Sequence, residues 1–415
     1  MEALPLFKNN KERKVFFLFI LSIFSLTLYF EFLTYEKVIT NEVYETKGTI
    51  INIYPKSSHQ VIKIKTQDFT FFTTIHNDLQ VNIYQNLNLT ILTKDITFIS
   101  HLKGFYTKSF NIYLHKMKNS PKKNIYNYIQ SQHTSNDISS LYSALFLASA
   151  LTQNTRELAS QYGVSHLIAI SGFHLGIISF VLYFILHSLY HKVHEKLFPY
   201  RNKRFDLLLI VASLLYSYLI FIDIPHSLLR AFVMFLFSLF LLRMNIKLIS
   251  FETLFIISIV IIALFPKLIF SISLWFSIAG VFYIFLFLKY FQKLHKMVQL
   301  LLFNFWIYLA INPITHYFFG TTSLEQLYSP LVTIAFSIFY PISAILHIFH
   351  LGELFDPFIQ MVIDIKVINT EVFTPLYFFI FYIMISLLSI IKKEIFIILN
   401  VLLVGYSFWL YYLKF

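Results

Sequence analysis

The sequence predicts a polytopic α-helical membrane protein of about ten spans, with a small β-barrel of OB-like type inserted as an extramembrane domain. Three observations carry that expectation. Of the 415 residues 57% are hydrophobic and 13% charged, and mean hydropathy is +0.67. The apolar residues gather in runs of roughly 17 to 25, the length that crosses bilayer hydrocarbon. From Glu45 to Lys108 the pattern changes to short β-branched and aromatic stretches of period two.

The first element is an apolar run, Val15 to Phe30, preceded by Lys8, Lys11, Arg13 and Lys14. No small-residue cleavage site follows, so residues 1–35 read as an uncleaved first span with a cytoplasmic N-terminus. Residues 36–108 read as the β domain. Its strands are expected at 48–54, 61–66, 69–74, 87–93 and 96–99, broken by Pro55-Lys56-Ser57-Ser58 and Asn77-Asp78. A generic β-sandwich or a docking module fits the same pattern.

Residues 109–160 read as a basic connector, where Lys108, Lys116, Lys122 and Lys123 alternate with Phe110, Tyr113, Tyr126 and Tyr128. Such a stretch suits a helix lying in the membrane interface. Cations beside aromatics also suit single-stranded nucleic acid, and Lys108, Phe110, Tyr113, Lys116, Lys122 and Lys123 are the candidate contacts. Ser139 to Leu151 is too short to span and reads as re-entrant or interfacial.

Residues 161–415 form the membrane domain, with spans expected at 164–190, 205–222, 226–242, 248–265, 268–288, 298–311, 327–348, 373–390 and 395–413. Lysine and arginine orient them. Lys192, Lys196, Arg201, Lys203, Arg204, Arg243, Lys247, Lys289, Lys293 and Lys296 fall on one side, against Lys267 on the other through residue 326. The rich side is cytoplasmic, which places the β domain in the periplasm or its equivalent and the chain in the inner membrane. Lys392 and Lys393 run against this scheme, so the last two spans are the least determined.

The formal charge of +12 sits on the small surface outside lipid and suits membrane phosphate or nucleic acid. The absence of cysteine excludes disulfides, thiol nucleophiles and Cys-ligated metals. No phosphate-cradling Gly-x-x-x-x-Gly-Lys-Ser/Thr loop is present, so energy for any transport comes from a partner ATPase or an ion gradient.

Polar groups inside the apolar runs mark the candidate site. Gly163 to Ser179 carries His166, Ser171, Gly172, His174 and Gly176. Polar side chains at membrane depth face protein interior or water, and the Gly172/Gly176 pair permits close helix approach or a helix break. A packed helix whose histidines bond neighbouring carbonyls is the alternative. Asp223 and Arg230 form a second cluster in which Arg230 must find a partner such as Asp223, a lipid phosphate or a passing polyanion. His187, His191 and His194 share a helix face, and interfacial histidines explain them better than a metal site does. Asn312-Pro313, Ser329-Pro330 and Tyr340-Pro341 read as further breaks in spans, around a polar loop from Thr315 to Gln326.

The block His166-Leu-Ile-Ala-Ile-Ser-Gly-Phe-His174 resembles the signature of the ComEC family of DNA internalisation channels. Supporting likeness runs through 98–106, Pro225 to Ala231 and Phe265 to Gly280. The resemblance implies a periplasmic OB domain and a membrane competence domain that together pass single-stranded DNA into the cytoplasm during natural transformation. The metallo-β-lactamase-like domain of larger relatives is not found in this sequence, so a channel without nuclease or other enzymatic activity is expected, and a separate nuclease for the second strand. A periplasmic DNA receptor, a cytoplasmic ATPase or helicase, DNA-protecting proteins and the lipid bilayer complete the expected partners; no cofactor or metal is expected. Two other readings remain: a transporter of a small anionic or lipid-linked substrate, and an intramembrane hydrolase using Ser171 with His166 or His174.

Overall fold

The computed structural model describes residues 6–413 apart from 8, 57–58, 77–78, 80, 116–120, 198 and 245–248. It opens with α1, Asn10–Ile39, capped by the Asn9 side chain on the Glu12 amide. The apolar middle of α1, Val15 to Phe30, faces almost wholly outward, as a lipid-facing helix should. Its far end is anchored rather than free. Thr27 donates to the Ala263 carbonyl at 2.6 Å, Glu31 pairs with Lys267 at 2.8 Å, and the Tyr35 hydroxyl donates to the Ile96 carbonyl at 3.0 Å.

The β domain follows directly. Strands β1 (Val43–Pro55), β2 (His59–Lys65), β3 (Thr70–His76) and β4 (Asn86–Leu92) are succeeded by helix α2 (Phe98–Lys103) and by β5 (Phe105–Tyr106) and β6 (Ser109–Leu114). They form one six-stranded sheet in the order β5-β3-β2-β1-β4-β6. Alternate residues enter its core, so Ile50, Ile62, Ile64, Phe71, Leu87 and Ile91 are buried with Val38 of α1. The period-two reading of this region therefore holds. The expected stretch at 96–99 is instead the start of α2, where Thr97 and Ser100 form a reciprocal cap.

The sheet is not a closed barrel. Its outermost strands are consecutive in sequence, with β5 parallel to β3 and β6 antiparallel to β4. One chain passage thus borders both ends of the sheet, but no ladder joins β5 to β6. Residues 109–114, read in sequence as connector, are strand.

Three short helices lead into the membrane domain: α3 (Pro121–Gln130), α4 (Asn136–Leu147) and α5 (Gln153–Gln161). Helix α4 packs into the bundle, burying Ile138, Tyr142, Leu145 and Leu147 against Phe336 and Tyr340. The remainder comprises α6 (Ser165–Ile168), α7 (Gly172–Leu197), α8 (Lys203–Phe221), α9 (His226–Arg243), α10 (Phe251–Leu264), α11 (Ile272–Phe291) and α12 (Lys296–Phe318). After a two-residue strand β7 (Thr321–Thr322) come α13 (Ser329–Ile348), α14 (Asp356–Asp364), β8 (Thr370–Glu371), α15 (Leu376–Leu388) and α16 (Lys393–Phe408). Strands β7 and β8 pair with each other.

Among the described residues seven helical stretches are long and apolar enough to cross a membrane, fewer than expected. They are α1, α7, α8, α11, α12, Leu324–Ile348 and Lys393–Tyr412. Helices α10 and α15, with 14 and 13 residues, rise only about 20 Å against a hydrocarbon core of about 30 Å. Helix α12 is longer than its expected 298–311 and runs through Pro313. Pro341 likewise lies inside α13, while Pro330 sits in its first turn, where a missing amide costs nothing.

Candidate functional site

The expected span at 164–190 is a broken helix. Gly163 adopts φ +65, which turns the chain out of α5. Only Ser165–Ile168 then closes a helical turn before Ala169 becomes extended, and α7 starts afresh at Gly172. The interruption is held by side chains from elsewhere. Ser227 donates to the Ile170 carbonyl at 2.5 Å, Ser329 to the Gly163 carbonyl at 3.0 Å, and Ser323 to the Gln161 carbonyl. Gln326 donates to the Ser160 carbonyl at 3.2 Å. Backbone groups freed by a break at membrane depth need such partners.

The histidines sit differently. His166 approaches α13, its Nε2 3.5 Å from the Thr333 hydroxyl. His174 is fully buried against Tyr340 and Phe336. Its Nδ1 accepts the Ser171 amide at 3.2 Å and lies 3.3 Å from the Ser171 hydroxyl. An acceptor Nδ1 leaves the ring proton on Nε2, which has no hydrogen-bond partner among the described residues.

The two glycines do not act as a packing pair. A Cβ on Gly172 would touch Ala231 of α9 at 3.4 Å, whereas one on Gly176 would meet nothing within 4 Å. Gly172 belongs to the break and its contact with α9; Gly176 faces open space.

Asp223 and Arg230 are not partners. Asp223 and Ile224 turn the chain between α8 and α9 with positive φ values of 65 and 54. The Asp223 carboxylate accepts from Lys122 of α3 at 2.6 Å, and its carbonyl accepts from Lys65 of β2 at 3.1 Å. Lys122 also lies over the Tyr84 ring at 4.4 Å, a cation–π contact. Burial pulls the Lys122 ammonium below its ordinary pKa, opposed by Asp223, and the same burial with the Asp223 charge raises the Tyr84 phenol.

Arg230 is 4% exposed and reaches across to α11, where one terminal nitrogen donates to the Ser273 carbonyl at 2.9 Å and hydroxyl at 2.6 Å. Its Nε and the other terminal nitrogen have no acceptor among the described residues. A guanidinium carries five N–H donors, and three of them, on Nε and one terminal nitrogen, go unused here among the described residues.

Of the candidate nucleic-acid contacts, Lys108, Phe110 and Tyr113 lie exposed together at and beside the edge strand β6. Lys122 is turned inward as described, Lys123 lies half-buried on α3, and Lys116 falls outside the described residues. On α7, His191 pairs with Glu195 at 3.1 Å and His194 bonds the Arg201 carbonyl at 2.9 Å. Ser329, Gln326 and Ser323, which hold the break, and Thr333 beside His166 were not foreseen in these roles, although Ser329 was read as a span break and Gln326 as the end of a polar loop. The signal near them was the polar loop before Pro330, which has no lysine or arginine.

A sheet domain carried on one apolar helix, followed by a bundle of apolar helices with a chain break packed inside it just before one candidate span, defines a polytopic membrane protein with a built interior polar site. The family model described as Competence protein matches residues 147–411. The chain belongs to the Competence protein family, and with it to the machinery of DNA uptake in competence. No curated protein and no solved structure gives a significant match.

Proposed function

We propose that this protein is the inner-membrane channel that passes single-stranded DNA into the cytoplasm, with the β domain, OB-like in role, on the periplasmic side. Arg230 carries the reading: a buried guanidinium with two nitrogens left without an acceptor among the described residues, one helix turn from Ser227, which ties the broken segment. A phosphate diester drawn past it finds charge and directional donors without base selectivity. Engagement by one fork rather than a cluster of cations permits release, as a conduit requires. Exposed Lys108, Phe110 and Tyr113 supply a stacking and phosphate-neutralising approach. The channel acts without enzymatic chemistry of its own. Ser171 has no free base beside it, because the Nδ1 lone pair of His174 is already engaged by the Ser171 amide.

The test follows labelled DNA into cells whose native gene is replaced by the Arg230→Gln variant, scoring periplasmic and cytosolic label separately. Label that accumulates outside the cytosol, with the variant inserted at normal levels, supports the channel. Normal delivery overturns Arg230 as the phosphate contact. Normal delivery in a strain lacking the gene altogether overturns the function and favours transport of a small phosphate-bearing solute.

A further inference from the structure

Away from the broken helix, three titratable side chains from three separate elements form a buried chain. His133 lies in the turn between α3 and α4, His347 near the end of α13, and Asp356 at the start of α14. His133 Nδ1 lies 2.9 Å from an Asp356 oxygen, its Nε2 lies 3.0 Å from His347 Nε2, and His347 Nδ1 lies 2.7 Å from the Ser343 carbonyl. The His133 side chain is fully buried, and His347 is 4% exposed. Among the described residues Asp356 has no lysine or arginine partner.

Hydrogen-bond chemistry says how many protons would satisfy this chain. The Ser343 carbonyl can only accept, so His347 Nδ1 bears a proton. One proton must lie between the two Nε2 atoms, since two lone pairs at 3.0 Å repel. A third lies between His133 Nδ1 and the carboxylate. The trio therefore satisfies every bond with three protons, one imidazolium balancing one carboxylate. The shared proton passes from His133 Nε2 to His347 Nε2 with only the imidazolium charge relocating. A fourth proton puts hydrogens on both Nε2 atoms and sets two cations against each other; a lost one sets lone pair against lone pair.

We infer that Asp356, His133 and His347 form a proton-binding latch, closed at one protonation count, that fastens the α3–α4 turn to the corner between α13 and α14. The surrounding groups fit a close-packed latch. Tyr142 of α4 stacks on His133 at 4.7 Å and contacts His347 at 4.4 Å, with its buried hydroxyl unbonded. From α3, Tyr128 and the following Gln132 donate to the His347 carbonyl at 2.7 and 3.1 Å, and the His350 ring packs on Tyr128 at 4.7 Å. Gly352 donates to Gln132 Oε1 at 3.0 Å, and a Cβ there would stand 2.9 Å from His347 Nε2. These neutral bonds do not titrate, so acidification loosens the corner locally without unfolding it. Because α3 also carries Lys122, bonded to Asp223, the latch lies on the route between the β domain and the bundle. It takes up a proton, not DNA, and stands independently of the channel reading.

The experiment uses the full chain in detergent micelles with isotope-labelled imidazole nitrogens. A through-bond coupling between two histidine Nε2 atoms is expected near neutrality and lost at about pH 5, where ordinary imidazoles are cationic. Amide exchange over 131–135 and 349–356, corrected for intrinsic rates, is expected to quicken about fivefold or more in the same interval. His347→Gln, which keeps a hydrogen-bonding side chain, removes that pH dependence, while His295→Gln on the far loop keeps it. Absence of the coupling at every pH overturns the shared proton. Unchanged pH-dependent exchange in His347→Gln overturns the latch.

Discussion

The Nζ of Lys122 lies 2.6 Å from the Asp223 carboxylate across 101 residues of sequence, joining the connector after the β domain to the turn between α8 and α9. The lysine is largely enclosed and the aspartate half exposed, and Tyr84 of the β domain covers the ammonium. Three parts of the chain therefore meet at one charge.

This pair should be measurable as a coupling rather than as two separate losses. A double-mutant cycle of Lys122→Met and Asp223→Asn, read by thermal unfolding in detergent, is expected to give about 1 kcal/mol of interaction, the exposure of Asp223 limiting it. Additive losses would show the contact to be incidental. Because burial lowers the Lys122 pKa, the folded state releases its proton first as pH rises toward the ordinary lysine range. The unfolded chain binds more protons in that window, so Lys122's contribution to stability grows there with rising pH. Lys122→Met should abolish that increment, with Tyr84, whose raised pKa acts in the opposite sense, left in place.

Arg230 separates stability from function. An unpaired buried charge costs the fold, so Arg230→Met should hold or raise the melting midpoint, gaining up to about 2 kcal/mol. DNA delivery should fall by two orders of magnitude or so if the guanidinium contacts phosphate. A variant that loses both in parallel would make Arg230 a structural residue bonded to Ser273.

The glycines give a contrast on one helix. Gly176→Leu projects into open space and is expected to change stability by no more than about 0.5 kcal/mol. Gly172→Leu must displace Ala231 from α9 and is expected to cost about 1–3 kcal/mol, with DNA delivery lost. Equal tolerance at both positions would detach the break from the α9 contact.

On the β domain, Phe110→Ser and Tyr113→Ser remove exposed rings from the edge strand without touching its core. Each should weaken single-stranded DNA binding by the detergent-purified chain about tenfold, and more at high salt where stacking outweighs charge. Unchanged binding in the double variant would move the nucleic-acid surface elsewhere.

What the sequence made legible follows from range. Alternation within 48–93 located four strands because a pleated strand writes its burial at every second residue. The break before Gly172 was half legible: glycines and polar residues a few positions apart allowed a break or close helix approach, while the span was drawn continuous over 164–190. The Lys122–Asp223 pair was not, because lysines in an amphipathic stretch look alike until a distant turn arrives beside one of them. Prolines misled for a related reason: Pro313 stays inside α12, where packing from α15, with the Tyr382 hydroxyl donating to the nearby Ala310 carbonyl at 2.6 Å, accompanies it. His133 carried no pattern at all; its meaning lies wholly in the ends of α13 and α14.

The ordering of the sheet has a consequence for assembly. Because Phe105–Tyr106 and Ser109–Leu114 are one passage of chain, the rims of β3 and β4 stay raw together until that passage emerges and are sealed together when it does. A nascent β domain thus has a single moment of exposure to rogue pairing with other chains. A cut or insertion at Thr107-Lys108 would reopen both rims at once, so this link is a poor place for a tag or a loop graft despite its exposed lysine, the more so because Thr107 is buried.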